Sequence, residues 1–114
     1  MGNMNVKPAD GKLGVLCVGL GAVTSTFMTG VLMARKGLAK PVGSMTQYDK
    51  MRVGRGENKK YLHYGEIVPL ADLKDIVFGA WDVYPANAYE SAINAEVLKE
   101  RDINPVKDEL EKIV

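Results

Sequence analysis

Leu13 to Val18 is a short, nearly unbroken apolar run followed by glycine, and directly behind it the apolar positions change period. Such a run is how a strand covered on both faces of a parallel sheet is written. Val23, Phe27 and Val31 then fall four apart, as do Met28 and Leu32, which predicts a helix with one buried stripe. Arg35 and Lys36 suit the last turn of that helix, and Gly37 suits its C′ position. The chain therefore opens strand, glycine turn, helix.

The middle is less regular. Val42–Thr46 and Met51–Val53 are candidates for short strands, and Gly54 to Lys60 is expected to be a mobile surface loop. Its charge cluster is explained by solvation alone, with phosphate binding as the sharper alternative. Order returns at Ile76–Trp81, a second candidate for a buried strand. Asn87 with Glu90 forms a capping pair for a helix whose stripe is Tyr89, Ile93 and Val97, with Ala92 and Ala95 favouring helix. A last helix is expected from Asn104 as cap and Pro105 as first helical residue, with Val106, Leu110, Ile113 and Val114 on its apolar face.

Strands alternating with helices imply an α/β fold: a partial Rossmann-type doubly wound parallel sheet with right-handed crossovers. Residues 1–12 form a polar arm, and residues 13–114 form the partial domain. The last pattern runs to Val114 without a closing glycine or polar tail, so a piece of a longer chain is expected. A half-fold of three strands leaves a sheet edge and one poorly covered face, so self-association is expected too.

Composition narrows the partners. Fifteen basic and fourteen acidic residues leave a net charge of +1, which gives no reason to expect nucleic acid or a membrane surface. Cys17 is the sole cysteine and His63 the sole histidine, so an internal disulfide and a Cys/His metal site are both excluded. A cytoplasmic setting is the default. The stretch from Leu13 to Ala34 carries no charge and is long enough to cross a bilayer, which takes about 20 apolar residues. Its interruption by Gly14, Gly19, Gly21 and Gly30, and by Thr24, Ser25, Thr26 and Thr29, favours strand plus helix instead.

Gly19-Leu20-Gly21 occupies the place where a nucleotide-binding βαβ unit puts its phosphate loop. The first glycine permits the turn out of the strand, and the second lets the backbone approach a pyrophosphate. The helix from Ala22 then offers its free N–H groups to the anion. Thr24 stands where a third glycine is usual, and no lysine followed by Ser or Thr suggests a P-loop. A tight turn without a ligand is the plainer alternative. A ribose-binding acid is expected about 20 residues beyond the loop. None occurs between Gly21 and Tyr48; Asp49 is the first, and Asp82 follows the second buried strand. Asp82 is equally readable as a turn or cap acid.

Five segments then occur in order: Gly19 to Thr26, Gly43-Ser44-Met45-Thr46-Gln47, Val68 to Leu73, Trp81-Asp82-Val83 and Asn87-Ala88-Tyr89-Glu90. Together they resemble the N-terminal part of inositol-3-phosphate synthases, above all the bacterial branch. The resemblance implies bound NAD, held by Gly19, Leu20, Gly21, Ala22, Val23 and Thr24 around the pyrophosphate and by Asp82 at the adenosine ribose. It implies isomerisation of glucose 6-phosphate to inositol 3-phosphate, by oxidation, aldol closure and re-reduction, in a homotetramer. The family's catalytic lysines and phosphate ligands lie downstream, so no catalytic residue is assigned here. Lys50, Lys59, Lys60 and Lys74 are surface lysines, and His63 and Tyr64 are structural. The alternative is a stand-alone nucleotide-binding or regulatory module without catalysis.

Overall fold

The structure is a computed structural model that describes Lys7 and residues 10–113. The polar arm therefore lies largely outside the described residues, and so does Val114 of the last predicted stripe. The elements run β1 (Leu13–Val18), α1 (Ala22–Arg35), α2 (Met45–Tyr48), β2 (Lys50–Val53), β3 (Lys60–His63), α3 (Tyr64–Ile67), β4 (Ile76–Trp81), α4 (Ala88–Ala95), α5 (Glu100–Ile103) and α6 (Lys107–Glu111). Short 3₁₀ turns occupy Gly56–Asn58, Leu73–Asp75 and Asn104–Val106.

β1 and β4 pair in parallel, Leu13 opposite Ile76 through Val18 opposite Trp81. With α1 between them they form a βαβ unit. The fold class is as expected, but the parallel sheet holds two strands among the described residues, not three. The crossover that would normally return directly from α1 carries an insertion instead. Within it β2 and β3 form a separate antiparallel hairpin, Lys50 opposite His63 through Val53 opposite Lys60.

One face of the parallel sheet packs and the other does not. Val15, Cys17, Ile76, Phe78 and Ala80 turn toward the helices, and Ile76 and Ala80 are buried. On the opposite face Leu16, Val18, Val77 and Trp81 are 63%, 77%, 49% and 55% exposed. The expectation of a strand covered on both faces thus fails for β1 and β4 alike, while the poorly covered face of a half-fold is present. The uncharged run from Leu13 to Ala34 divides between β1 and α1, and no described helix is long and apolar enough to cross a membrane.

The core joins Met28 and Leu32 of α1 with Ala88, Ala92, Ile103, Val106, Leu110 and Ile113. Ala88 and Ala92 carry only methyl groups, which lets α4 approach α1 closely. The stripe of α1 keeps Met28, Val31 and Leu32 of its five expected positions and loses Val23 and Phe27. Ser25, Met28, Thr29, Val31 and Leu32 are buried, whereas Val23 is 84% and Phe27 45% exposed. Two hydroxyls on the buried face are tolerated because the helix satisfies them: Ser25 Oγ donates to Gly21 O at 2.7 Å and Thr29 Oγ1 to Ser25 O at 2.8 Å.

The ends of α1 follow the sequence signals. Leu38 N–H donates to Met33 O and Gly37 N–H to Ala34 O, a Schellman motif with Gly37 at φ 70°. Arg35 does more than favour the dipole. Its Nε donates to Leu73 O at 2.7 Å, its Nη2 donates to Ile76 O, and its guanidinium lies 5.9 Å from the Phe78 ring centre. It therefore clamps the end of α1 to the start of β4.

Asn87 caps α4 as expected, accepting from the Glu90 N–H at 2.9 Å. Of the expected α4 stripe, Tyr89 and Ile93 pack half-buried against the core beside the buried Ala88 and Ala92, but the helix ends at Ala95 and Glu96 turns into the left-handed region at φ 55°. Val97, expected on that stripe, is 57% exposed. Asn104 does not cap through its side chain, which accepts from Tyr89 Oη at 3.0 Å instead. Asn104 itself opens the 3₁₀ turn Asn104–Val106, directly behind α5, and Pro105 is its second residue rather than its first.

The middle departs furthest. Val42–Thr46 is not a strand: Pro41 and Gly43 bend the chain, Ser44 N–H donates to Pro41 O at 2.9 Å, and Met45 begins α2. Met51–Val53 does lie within β2. Gly54 to Lys60 is the tip of the hairpin rather than an irregular loop, and Lys60 already belongs to β3. Gly54 sits at φ +88°, and a Cβ there would stand 2.6 Å from the Asn58 carbonyl oxygen. Between Leu32 and Ile76 no residue is buried.

Candidate functional site

The carboxyl ends of β1 and β4 meet the amino end of α1. Gly19, at φ +98°, makes the turn out of β1, a conformation that a side chain disfavours. Its N–H donates to Trp81 O at 2.8 Å and so extends the ladder beyond the last strand pair. Gly21 is different. It is the N-cap of α1 at φ −106°, ψ −154°, extended backbone open to any residue, and a Cβ there would meet nothing within 4 Å. Neither conformation nor packing within the chain calls for glycine at position 21.

Behind Gly21, Ser25 N–H donates to Gly21 O at 3.0 Å, so the helical ladder begins there. The amides of Ala22, Val23 and Thr24 precede it and have no helical partner. No side chain caps them, and the first turn contains no acidic residue. The end of α1 thus presents uncompensated donors and a positive dipole end.

Asp82 follows β4 directly. Its Oδ2 accepts from the Leu20 N–H at 2.8 Å and its Oδ1 from the Tyr84 N–H at 3.3 Å. The Leu20 bond, then that of Tyr84, holds the carboxyl below the usual aspartate value, opposed by desolvation and aided slightly by Val83. A cleft of about 260 Å³ opens beside these groups. Leu20, Gly21, Ala22 and Asp82 line it, together with Tyr84, Ser91 and Asn94. Of the seven residues expected at the site, four therefore converge on the cleft. Gly19 shapes the turn behind it, while Val23 faces solvent and Thr24 is half-buried off the lining.

The same topology explains the missing acid. The usual spacing of about 20 residues assumes that the second parallel strand follows the helix at once. Here that strand is β4, after the inserted hairpin, so the acid at its end is Asp82. Asp49 closes α2 ahead of β2 and does not reach the cleft. Ser91 and Asn94 were not anticipated. They sit three apart on the helix after the acid-bearing strand, beside the buried Ala88 and Ala92, and that spacing was the available signal.

A parallel βαβ unit with a glycine turn at the helix start and an acid ending its second strand is a Rossmann-type dinucleotide-binding unit. The family model for the NAD-binding domain of myo-inositol-1-phosphate synthase matches residues 13–114. The chain belongs to this family and carries its NAD-binding part. It is 59% identical to inositol-3-phosphate synthase 1 of Bacteroides thetaiotaomicron over 95% of the chain and 25% of that protein. Inositol-3-phosphate synthase 1 of Oryza sativa is 35% identical over 76% of the chain and 19% of the rice protein. The crystal structure of inositol-3-phosphate synthase from Caenorhabditis elegans superposes with a TM-score of 0.79 at 26% identity, over 95% of this chain and 24% of that one. The chain thus spans about a quarter of the length of the bacterial relative.

Proposed function

We propose that the cleft between Gly21 and Asp82 holds the adenosine and pyrophosphate of NAD, and that the chain serves conversion of glucose 6-phosphate to inositol 3-phosphate. The observation that carries the reading is Gly21, a glycine that the chain's own fold does not require. A side chain there would occupy the space beside the free amides of α1, which is where a diphosphate gains most from donors and dipole. Asp82 sits across the cleft with an oxygen available to ribose hydroxyls. Ser91 and Asn94 supply further hydrogen-bonding groups along α4. At about 260 Å³ the cleft suits half a dinucleotide, since pockets for whole ligands run from roughly 300 Å³ upward.

NAD, when bound, supplies hydride removal and return. This chain's residues bind and orient it. Among the described residues lining the cleft there is no lysine, arginine or histidine to hold a substrate phosphate or move a proton. The reading leaves the catalytic groups to the rest of the family's longer chain, of which this segment matches 25% in the bacterial relative. The same reading puts the protein in the cytoplasm and in a self-associating assembly, supported by the bare sheet face of Leu16, Val18, Val77 and Trp81. Calorimetric titration with NAD is the test, with glucose 6-phosphate turnover measured alongside. Saturable NAD binding without turnover is expected. A chain that does not bind NAD contradicts the site, and turnover contradicts the placing of catalysis outside it.

A further inference from the structure

Two consecutive amides leave β1 toward the end of β4, and they are held differently. Gly19 N–H donates to a backbone carbonyl, Trp81 O, and Leu20 N–H donates to a side chain, Asp82 Oδ2, each at 2.8 Å. The Leu20 side chain is buried at the rim of the core, where an unpartnered amide is costly. No other described group bonds that amide. The other carboxylate oxygen, Oδ1, makes only the longer 3.3 Å bond to Tyr84 N–H.

We infer that Asp82 is a positioning residue for the glycine turn: its Oδ2 fixes Leu20, and thereby sets Gly21 and the first turn of α1 for a diphosphate before any ligand arrives. Its Oδ1 is then the oxygen left for ribose hydroxyls, so one carboxylate serves the loop and the sugar from opposite sides. The inference rests on the proposed cofactor site for its ligand, but the latch itself exists without ligand. It predicts that Asp82 matters even for a ligand that has no ribose. It also predicts that asparagine, which keeps an acceptor oxygen for Leu20, separates the two roles.

Amide hydrogen exchange on the ligand-free chain tests the latch, with Gly19 as the internal reference because its bond does not involve the Asp82 side chain. In Asp82→Ala, Leu20 exchange should rise by about tenfold or more while Gly19 stays protected. In Asp82→Asn, Leu20 should stay protected. Titration with inorganic pyrophosphate should weaken severalfold in Asp82→Ala and recover in Asp82→Asn, whereas NAD binding stays weakened in both. The unmutated chain provides a measurement independent of variant folding. Its Leu20 amide proton shift should follow Asp82 ionisation as pH falls, and that of Gly19 should not. Unchanged Leu20 protection in Asp82→Ala, unchanged pyrophosphate binding, or a Leu20 shift flat through acid overturns the inference. Failure of the unmutated chain to bind NAD overturns the proposed function instead, and the Leu20-to-Gly19 contrast still decides the latch.

Discussion

The βαβ lobe and the inserted middle of this chain follow opposite rules. In the lobe, α1, α4, α5 and α6 share one core with Met28, Ala88, Ile103, Val106 and Leu110 fully buried. In the middle, no residue between Leu32 and Ile76 is buried, and the hairpin of β2 and β3 is held by its own ladder and turn. Stability therefore resides in the lobe, and local geometry shapes the middle. The site stands on the lobe, where rigid elements fix the positions of Gly21 and Asp82.

The largest expected contrast is in core truncation. Met28→Ala removes a fully buried side chain and should cost about 2–5 kcal/mol by denaturant unfolding. Met51→Ala, on the exposed hairpin, should change stability by no more than about 0.5 kcal/mol. Equal costs would break the comparison. Gly54→Ala comes next, forcing a side chain into a left-handed conformation and against the Asn58 carbonyl. A local cost of about 1–3 kcal/mol is expected, read as faster amide exchange confined to Lys50–His63. Loss of Gly19 protection in that variant would show that hairpin and lobe unfold together.

Smaller effects sharpen the picture at the surface. Lys36 Nζ pairs with Glu109 Oε1 at 2.7 Å and donates to Pro105 O at 2.7 Å, tying the end of α1 to the last helical segment. Both side chains are more than a third exposed, so Lys36→Ala should cost at most about 1 kcal/mol. The hydrogen bond from Lys36 holds the Glu109 carboxyl below the usual glutamate value. The pair's contribution is then complete above the ordinary glutamate range and lost as pH falls through the lowered value. Stability curves of Lys36→Ala and the unmutated chain should accordingly converge in acid. Trp81→Glu should barely change stability, since the side chain is 55% exposed, yet reduce the self-association proposed above, as read by sedimentation. Unaltered association would move the contact off this sheet face.

Much of the lobe was legible in the sequence because short-range signals and tertiary structure agree there. The run before Gly19, the Gly37 C′ and the Asn87 cap each depend on chemistry within a few residues. The faces of the helices were less legible, because periodicity specifies an apolar stripe and not which stripe meets a partner. Of the α1 pattern, Met28, Val31 and Leu32 face the core together with two internally bonded hydroxyls, while Val23 and Phe27 are exposed. The middle was least legible. Short strands that bury no side chain carry no burial pattern, so β3 has no signal in the sequence and Val42–Thr46 reads as a strand. Asp82 stood out by its place after a buried strand, outside the usual interval, and only the family resemblance favoured a ribose role over that of a turn acid. Ser91 and Asn94 were hidden by their lack of charge.

The central claim is that the space beside Gly21 belongs to a ligand. Gly21→Val should cost the fold only about 1 kcal/mol, the penalty of a poor N-cap residue, since the backbone is extended there and a Cβ meets nothing within 4 Å. The same variant should lose measurable NAD binding by calorimetry, because the side chain fills the approach to the α1 amides. Unaltered NAD affinity in a folded Gly21→Val chain would contradict the account, as would a large loss of stability without ligand.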